Sequence, residues 1–299
     1  MVRGNVAAVF CMLLWATNFP VVAVLVQSWS AIAITAGRLL IGALVVGIAA
    51  LAIGEKETLL RLPRHPAALA AGALLILSTF LFAQGQTLVD PVVAAVLVSA
   101  MPVFSVLIDW VSGEQRLTPQ MLLAIALAVA GGVITSWPSS TAAAGETSFL
   151  GALSMLGGML AYLFYTKLMI GTLKDEPDVA KSAVSMLIAG AIAAVVLILT
   201  DIVGGGVRAN LSPSDVGLVL WLGSMSVGAS SVLWMWAGRY VGLTIAAMHH
   251  NMVPFYVIVM AAIAGAAITL QHVVGATLVI AGAALAQVPV RRLATGRQP

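Results

Sequence analysis

Ten stretches of about twenty apolar residues, parted by short polar breaks, leave this chain few ways to fold. They run roughly over 5–26, 30–53, 66–87, 91–112, 119–136, 148–170, 179–202, 214–237, 241–263 and 272–289. A helix of about twenty residues rises some 30 Å, the thickness of a bilayer's hydrocarbon core. Such a segment must satisfy its own backbone amides in lipid, which favours helices. The breaks carry turn and loop residues: Gly54-Glu55-Lys56-Glu57, Pro63-Arg64-His65-Pro66, Ser112 to Arg116, Pro138 to Gly145, and Gly204-Gly205-Gly206. Only 8% of the 299 residues are charged and 61% are hydrophobic, against about 25% charged in a soluble domain. So few polar side chains cannot cover a water-facing surface, and lipid is the solvent that fits. The expected fold is all-α and integral to a membrane, with ten transmembrane helices.

The positive charges give a direction. Ten spans put both termini and the connections after helices two, four, six and eight on one side. That side collects Arg3, Lys56, Arg61, Arg64, Arg116, Lys167, Lys174, Lys181, Arg239, Arg291, Arg292 and Arg297 of the 14 basic residues. The other side has Arg208, and Arg38 lies within a span. This bias predicts both termini in the cytoplasm. The basic pI rests on a net charge of only +3, without a patch interleaved with aromatics, which argues against a nucleic-acid partner. The one cysteine, Cys11, lies in the first apolar run and excludes an internal disulfide. That run is too long for a signal-peptide core and is expected to be the first membrane anchor.

The chain also resembles itself. Ala94-Ala95 through Met101-Pro102-Val103-Phe104 aligns with Ala246-Ala247 through Val253-Pro254-Phe255-Tyr256 at an offset of 152, which also pairs Phe82 with Trp234 and Gly113 with Gly265. At an offset of 147, Gly4 to Pro20 follows Gly151 to Lys167, setting Trp15 opposite Tyr162 and Asn18 opposite Tyr165. Two five-helix repeats are expected, over residues 1–140 and 146–290, with a basic tail at 291–299. Five is odd, so the second repeat enters the membrane inverted, an arrangement that places a binding site near the midplane and permits alternating access.

Polar groups within a bilayer are costly and tend to face an interior path. Trp15 and Asn18 are three apart on one helix face, ahead of Pro20, which frees a carbonyl and bends the chain. Arg38 is a candidate either for a substrate carboxylate or for a structural role. His249, His250 and Asn251 form the most polar patch in any span. Adjacent helical residues point about 100° apart, so the two histidines do not share one metal ion. They are instead candidates for proton coupling. Pro102 and Pro254 stand at equivalent places, where each permits a local break beside a cavity. Asp109 and Lys167, near the same ends of their helices, are candidates for an inner gate. The expected substrate cavity comprises Trp15, Asn18, Phe82, Ser99, Met101, Pro102, Tyr162, Trp234, His249, Asn251 and Pro254. Such aromatic and thioether groups suit an apolar or aromatic molecule. Trp29, Trp110 and Trp137, at helix ends, are expected in interfacial belts. Gly131-Gly132 suits close packing, within the chain or between copies. The sequence has no Gly-rich phosphate loop with Lys-Ser or Lys-Thr, no zinc-binding His-Glu-x-x-His and no paired intramembrane carboxylates. No cofactor, metal or catalytic role is expected.

The order and spacing of short motifs resemble the EamA-type branch of the drug/metabolite transporter superfamily. They are Trp15-Ala-Thr-Asn18-Phe-Pro, Arg38-Leu-Leu, Ala94-Ala95 with Met101-Pro102, Gly113-Glu114 before Leu117-Thr118, and Gly131-Gly132, followed by Ala246-Ala247, Pro254 and Gly282. Within that family the chain is most similar to YddG-type exporters of aromatic amino acids. The resemblance implies ten helices in inverted repeats around a central cavity, and efflux of neutral amino acids across a bacterial inner membrane. Small multidrug exporters, a related branch, carry an acid within helix one; this chain has none there, which counts against a cationic drug. The alternatives are another cargo (a nucleoside, sugar derivative or drug) or a membrane enzyme or scaffold. The oligomeric state is left open, a monomer included.

Overall fold

The computed structural model describes residues 2–98, 100–111, 118–136, 149–241, 246, 249–265 and 268–287. Among the described residues the chain is helical, without a strand. In chain order the main helices are α1 (Val2–Leu25), α2 (Ala31–Ala52), α3 (Pro66–Gln86), α4 in two pieces (Pro91–Val98 and Met101–Val111), α5 (Pro119–Ser136), α6 (Phe149–Thr172), α7 (Asp178–Ile202), α8 (Pro213–Val241), α9 (His249–Ile263) and α10 (Leu270–Gln287). A short helix, Lys56–Arg61, lies between α2 and α3. Six of the main helices, α1–α3 and α6–α8, are long and apolar enough to cross a membrane. Their outward faces are apolar as well: Leu44, Ile48 and Leu51 on α2 and Val195, Ile198, Leu199 and Ile202 on α7 are all more than half exposed. Lipid, rather than water, is the medium such faces match.

Several helices are irregular. Helix α1 is interrupted at Thr17, three residues before Pro20, whose ring nitrogen has no hydrogen to give the Ala16 carbonyl. Helix α8 carries a π segment, Leu222–Ala229, and α6 ends in a π turn, Leu168–Thr172. Helix α9 opens with a 3-10 turn, His249–Met252. Pro102 and Pro254 each fall second in a helical piece, Met101–Val111 and Val253–Ile263. There the missing N–H is one the helix does not use.

The dominant neighbours are α5 with α10, α2 with α7, α3 with α6, α1 with α8, α2 with α8 and α3 with α7. Advancing every label by five maps this set onto itself. Side-chain bonds repeat the relation. Gln120 at the start of α5 donates to the Leu285 carbonyl near the end of α10 at 2.7 Å. Gln271 at the start of α10 donates to the Ile134 carbonyl near the end of α5 at 2.6 Å. Both donors and both acceptors are separated by 151 residues, and the two helices run antiparallel. Gly131 makes their approach close, since a Cβ there would lie 2.6 Å from the Gly275 carbonyl oxygen. This glycine is spent on packing within the chain. Met12, Met155, Met159, Met169 and Met186 are fully buried among the small residues of the core, a use suited to their flexible, unbranched shape.

Candidate functional site

One cavity of about 50 Å3 lies at mid-height of the bundle, walled by α1, α2, α3, α6, α8 and the turn that opens α9. From α1 it takes Cys11, Met12, Trp15, Asn18 and Phe19. Leu75, Ser78, Thr79 and Phe82 come from α3, and Ser226, Val227, Ser230, Ser231 and Trp234 from α8. Arg38, Tyr162 and His250 complete it. Trp15 and Tyr162 are the pair offset by 147 residues, Phe82 and Trp234 the pair offset by 152. Equivalent positions of the two halves thus converge on one space.

The aromatic wall is built from edge-to-face contacts, the arrangement ring quadrupoles favour. The Trp15 ring lies 5.8 Å from Phe19, 6.1 Å from Phe82 and 5.4 Å from the His250 imidazole, all nearly perpendicular. Trp234 also meets His250 nearly perpendicular, at 4.9 Å. The imidazole thereby touches an indole of α1 and an indole of α8, and is buried. Tyr162 leans on Tyr165 at 5.6 Å, and the Tyr165 hydroxyl lies 3.1 Å from Ser185 Oγ, away from the cavity.

The polar wall centres on Arg38. Its Nη1 donates to Asn18 Oδ1 at 2.7 Å and its Nη2 to the Thr79 carbonyl at 2.6 Å, so one guanidinium ties α2 to α1 and α3. A second network sits where α1 breaks. Thr17 Oγ1 donates to the Leu14 carbonyl at 2.6 Å, lies 2.7 Å from Ser226 Oγ and accepts from Trp221 Nε1 at 2.9 Å. Cys11 Sγ donates to the Ser230 carbonyl at 3.1 Å. The interruption of α1 therefore faces the π segment of α8, and side chains take up backbone groups that a regular ladder would have used.

Of the residues singled out from sequence, Trp15, Asn18, Arg38, Phe82, Tyr162, Trp234 and His250 line this cavity. Met101 and Pro254 are buried and lie outside its lining, and His249 and Asn251 are half-buried on the turn before α9. Lys167 is half-buried near the end of α6. Ser99 and the side chains of Pro102 and Asp109 lie outside the described residues. The hydroxyls of α8 were not singled out, although Ser226, Ser230 and Trp234 follow one another at four-residue spacing and so share a face. Among the described residues, no group of three or more His, Cys, Asp or Glu is placed to hold a metal.

Two features outside the cavity also escaped the sequence. Asp178 Oδ1 lies 3.0 Å from Lys181 Nζ and its Oδ2 3.0 Å from Arg239 Nε. Trp29, expected in an interfacial belt, is instead buried against Val22, Leu25, Ile34, Val219 and Leu222. Its indole donates to the Asn210 carbonyl at 2.8 Å. Trp110, by contrast, is exposed, and Trp137 lies outside the described residues.

The EamA-like transporter family model matches this chain over residues 2–137 and 149–287, and the chain belongs to that family. It is accordingly a multi-pass membrane transporter of small molecules. A solved crystal structure, described only as that of a protein, is similar over 97% of this chain and 99% of its own, with a TM-score of 0.70 at 21% identity. That likeness speaks to the fold. A comparison with curated proteins finds no match.

Proposed function

We propose that this chain is a secondary carrier that exports aromatic or other neutral amino acids across a bacterial inner membrane by alternating access. Its ten helices cross as two inverted repeats, 1–140 and 146–290, with both termini and the tail 291–299 in the cytoplasm. The observation that carries the reading is the convergence of Trp15, Phe82, Tyr162 and Trp234 on one cavity between the halves. The antiparallel, reciprocal bonding of α5 and α10 supports the inversion. The shared cavity supports a binding site that each half uncovers in turn. At about 50 Å3 the cavity holds a few waters, whereas ligand pockets usually measure about 300–1,000 Å3. On this reading, loading requires the halves to part around the cavity. Rings and thioether groups favour a flat apolar side chain, in keeping with the resemblance to YddG-type exporters. His250, in contact with two indoles, is the first candidate for proton coupling, with His249 beside it. Asp109 and Lys167 remain the proposed inner gate.

The test is counterflow of labelled phenylalanine and tryptophan in liposomes containing the purified protein, with and without a pH gradient. Saturable uptake, competed by unlabelled aromatic amino acids and reduced at least tenfold in Trp15→Ala and Trp234→Ala, is the expected result. Uptake no greater than with an unrelated folded protein removes the aromatic assignment. Competition by nucleosides or sugar derivatives alone moves the same carrier to another cargo.

A further inference from the structure

Among the described residues, the carboxylates fall between helices or within the first or last turn of one. Arg38 is different. It is the eighth residue of α2, only 3% exposed, and it lines the cavity. Arginine keeps its charge at neutral pH. Here that charge is met by two neutral oxygens, Asn18 Oδ1 and the Thr79 carbonyl, while Nε has no hydrogen-bond partner among the described residues. A buried charge held by dipoles alone is incompletely compensated, and a group that brings the opposite charge binds there with an advantage it would not have in water. No lining residue offers a carboxylate.

We infer that the molecule bound in this cavity supplies the missing anion: it carries a carboxylate that docks on Arg38, with its apolar body against Trp15, Phe82 and Tyr162. Three features converge on that pose. The guanidinium has an N–H left over. Asn18, having given its oxygen to Arg38, keeps amide hydrogens to donate to a carboxylate oxygen. The rings stand across the same small space. A bare cation finds the reverse: a fixed positive charge and no acid to receive it. An amino group is tolerated when a carboxylate accompanies it, because Ser226 and Ser230 bring hydroxyl oxygens to the same lining. The cavity thus selects acids and zwitterions over amides and amines. This deepens the carrier reading and rests on it for the word cargo, but ligand binding can be measured without transport.

The experiment is a thermal-stability titration of the purified full chain in detergent with matched ligands. The aromatic set is 3-phenylpropionate, phenylalanine, phenylalaninamide and 2-phenylethylamine; the aliphatic set is hexanoate, norleucine, norleucinamide and hexylamine. We expect the carboxylate-bearing members to stabilise at concentrations at least tenfold lower than the amide or amine of the same skeleton. Arg38→Met should erase that preference, and Arg38→Lys should keep part of it. Should Arg38→Met fail to fold, the wild-type series decides alone. An acid preference confined to the aliphatic set would remove the aromatic assignment and leave this inference standing. Lack of acid preference in both sets overturns it. Equal stabilisation by chloride, run alongside at the same concentrations, also overturns it by assigning Arg38 to an inorganic ion.

Discussion

The two ends of the bundle are tied by different chemistry. At the basic end, where α2 runs into α3 and α6 into α7, the links are ionic side chains. Arg61 Nη2 reaches both carboxylate oxygens of Glu176 at 2.7 and 2.8 Å, and Glu55 Oε2 accepts from the Ala180 N–H at the start of α7. Asp178 is shared between Lys181 and Arg239, so it joins α7 to the end of α8. Lys181 spends its remaining hydrogens on the Met169 and Leu173 carbonyls, closing the last turn of α6. At the opposite end, where α1 meets α2 and α7 meets α8, the bonds go mostly to backbone. The Ser30 N–H donates to the Arg208 carbonyl at 2.9 Å and the Trp29 indole to the Asn210 carbonyl. Ser28 Oγ donates to Asp215 Oδ2 at 2.7 Å.

Advancing the helix labels by five carries one pair of connections onto the other, so corresponding connections are tied in different materials. Ion pairs at a surface weaken with salt and with loss of either partner. A backbone bond shielded by a buried indole is indifferent to salt. Under the proposed alternating access, the two barriers would differ in sensitivity, the ionic end answering to ionic strength and the other to packing.

That contrast can be tested by five changes. The largest effect is expected for Asp178→Ala, which leaves the buried Lys181 and its neighbour Arg239 without their shared acid. Removing one partner of a buried pair costs about 3 kcal/mol, read as a lower thermal midpoint in detergent, and thiol labelling of Cys11 from the basic side should rise. Next, Trp29→Phe keeps the ring and deletes the donor to Asn210, at about 1 kcal/mol. Its loss should not vary between 50 and 500 mM salt, and labelling from the opposite side should rise instead. Gln120→Leu and Gln271→Leu are the symmetric control. Each should cost about 0.6 kcal/mol, the usual size of an interhelical hydrogen bond in a membrane protein, and the two should agree within a few tenths. Smallest is Arg61→Gln, since the guanidinium is largely exposed; less than about 0.5 kcal/mol is expected at low salt and nothing measurable at 500 mM. A salt-dependent Trp29→Phe, or a salt-independent Arg61→Gln of larger size, would dissolve the distinction between the ends.

How much of this was legible in the sequence depends on the range of the interaction. Helix positions followed from local hydropathy, and the duplication from offsets that survive in residues such as Pro102 and Pro254. Depth within an apolar run singled out Trp15, Asn18, Arg38, Phe82, Tyr162 and Trp234, all of which line the cavity. Which histidine faces it was not legible, because neighbouring residues diverge by about 100° on a helix and the chain there makes a 3-10 turn. Trp29 looked like an interfacial anchor because it sits at a helix end. Its burial comes from a connection more than 180 residues away. The Asp178–Lys181–Arg239 cluster was hidden for the same reason: Asp178 and Lys181 read as an ordinary i, i+3 pair until α8 brings Arg239 to them.

The most direct test of the carrier uses Cys11, the one cysteine of the chain, which lines the cavity. The measurement is its alkylation by a membrane-impermeant maleimide in sealed vesicles of known orientation, from each face separately, with Cys11→Ser as the blank. Labelling from both faces, slowed by added phenylalanine, is the result the account predicts. Labelling from one face only under every condition, in folded protein, would contradict alternating access at this cavity.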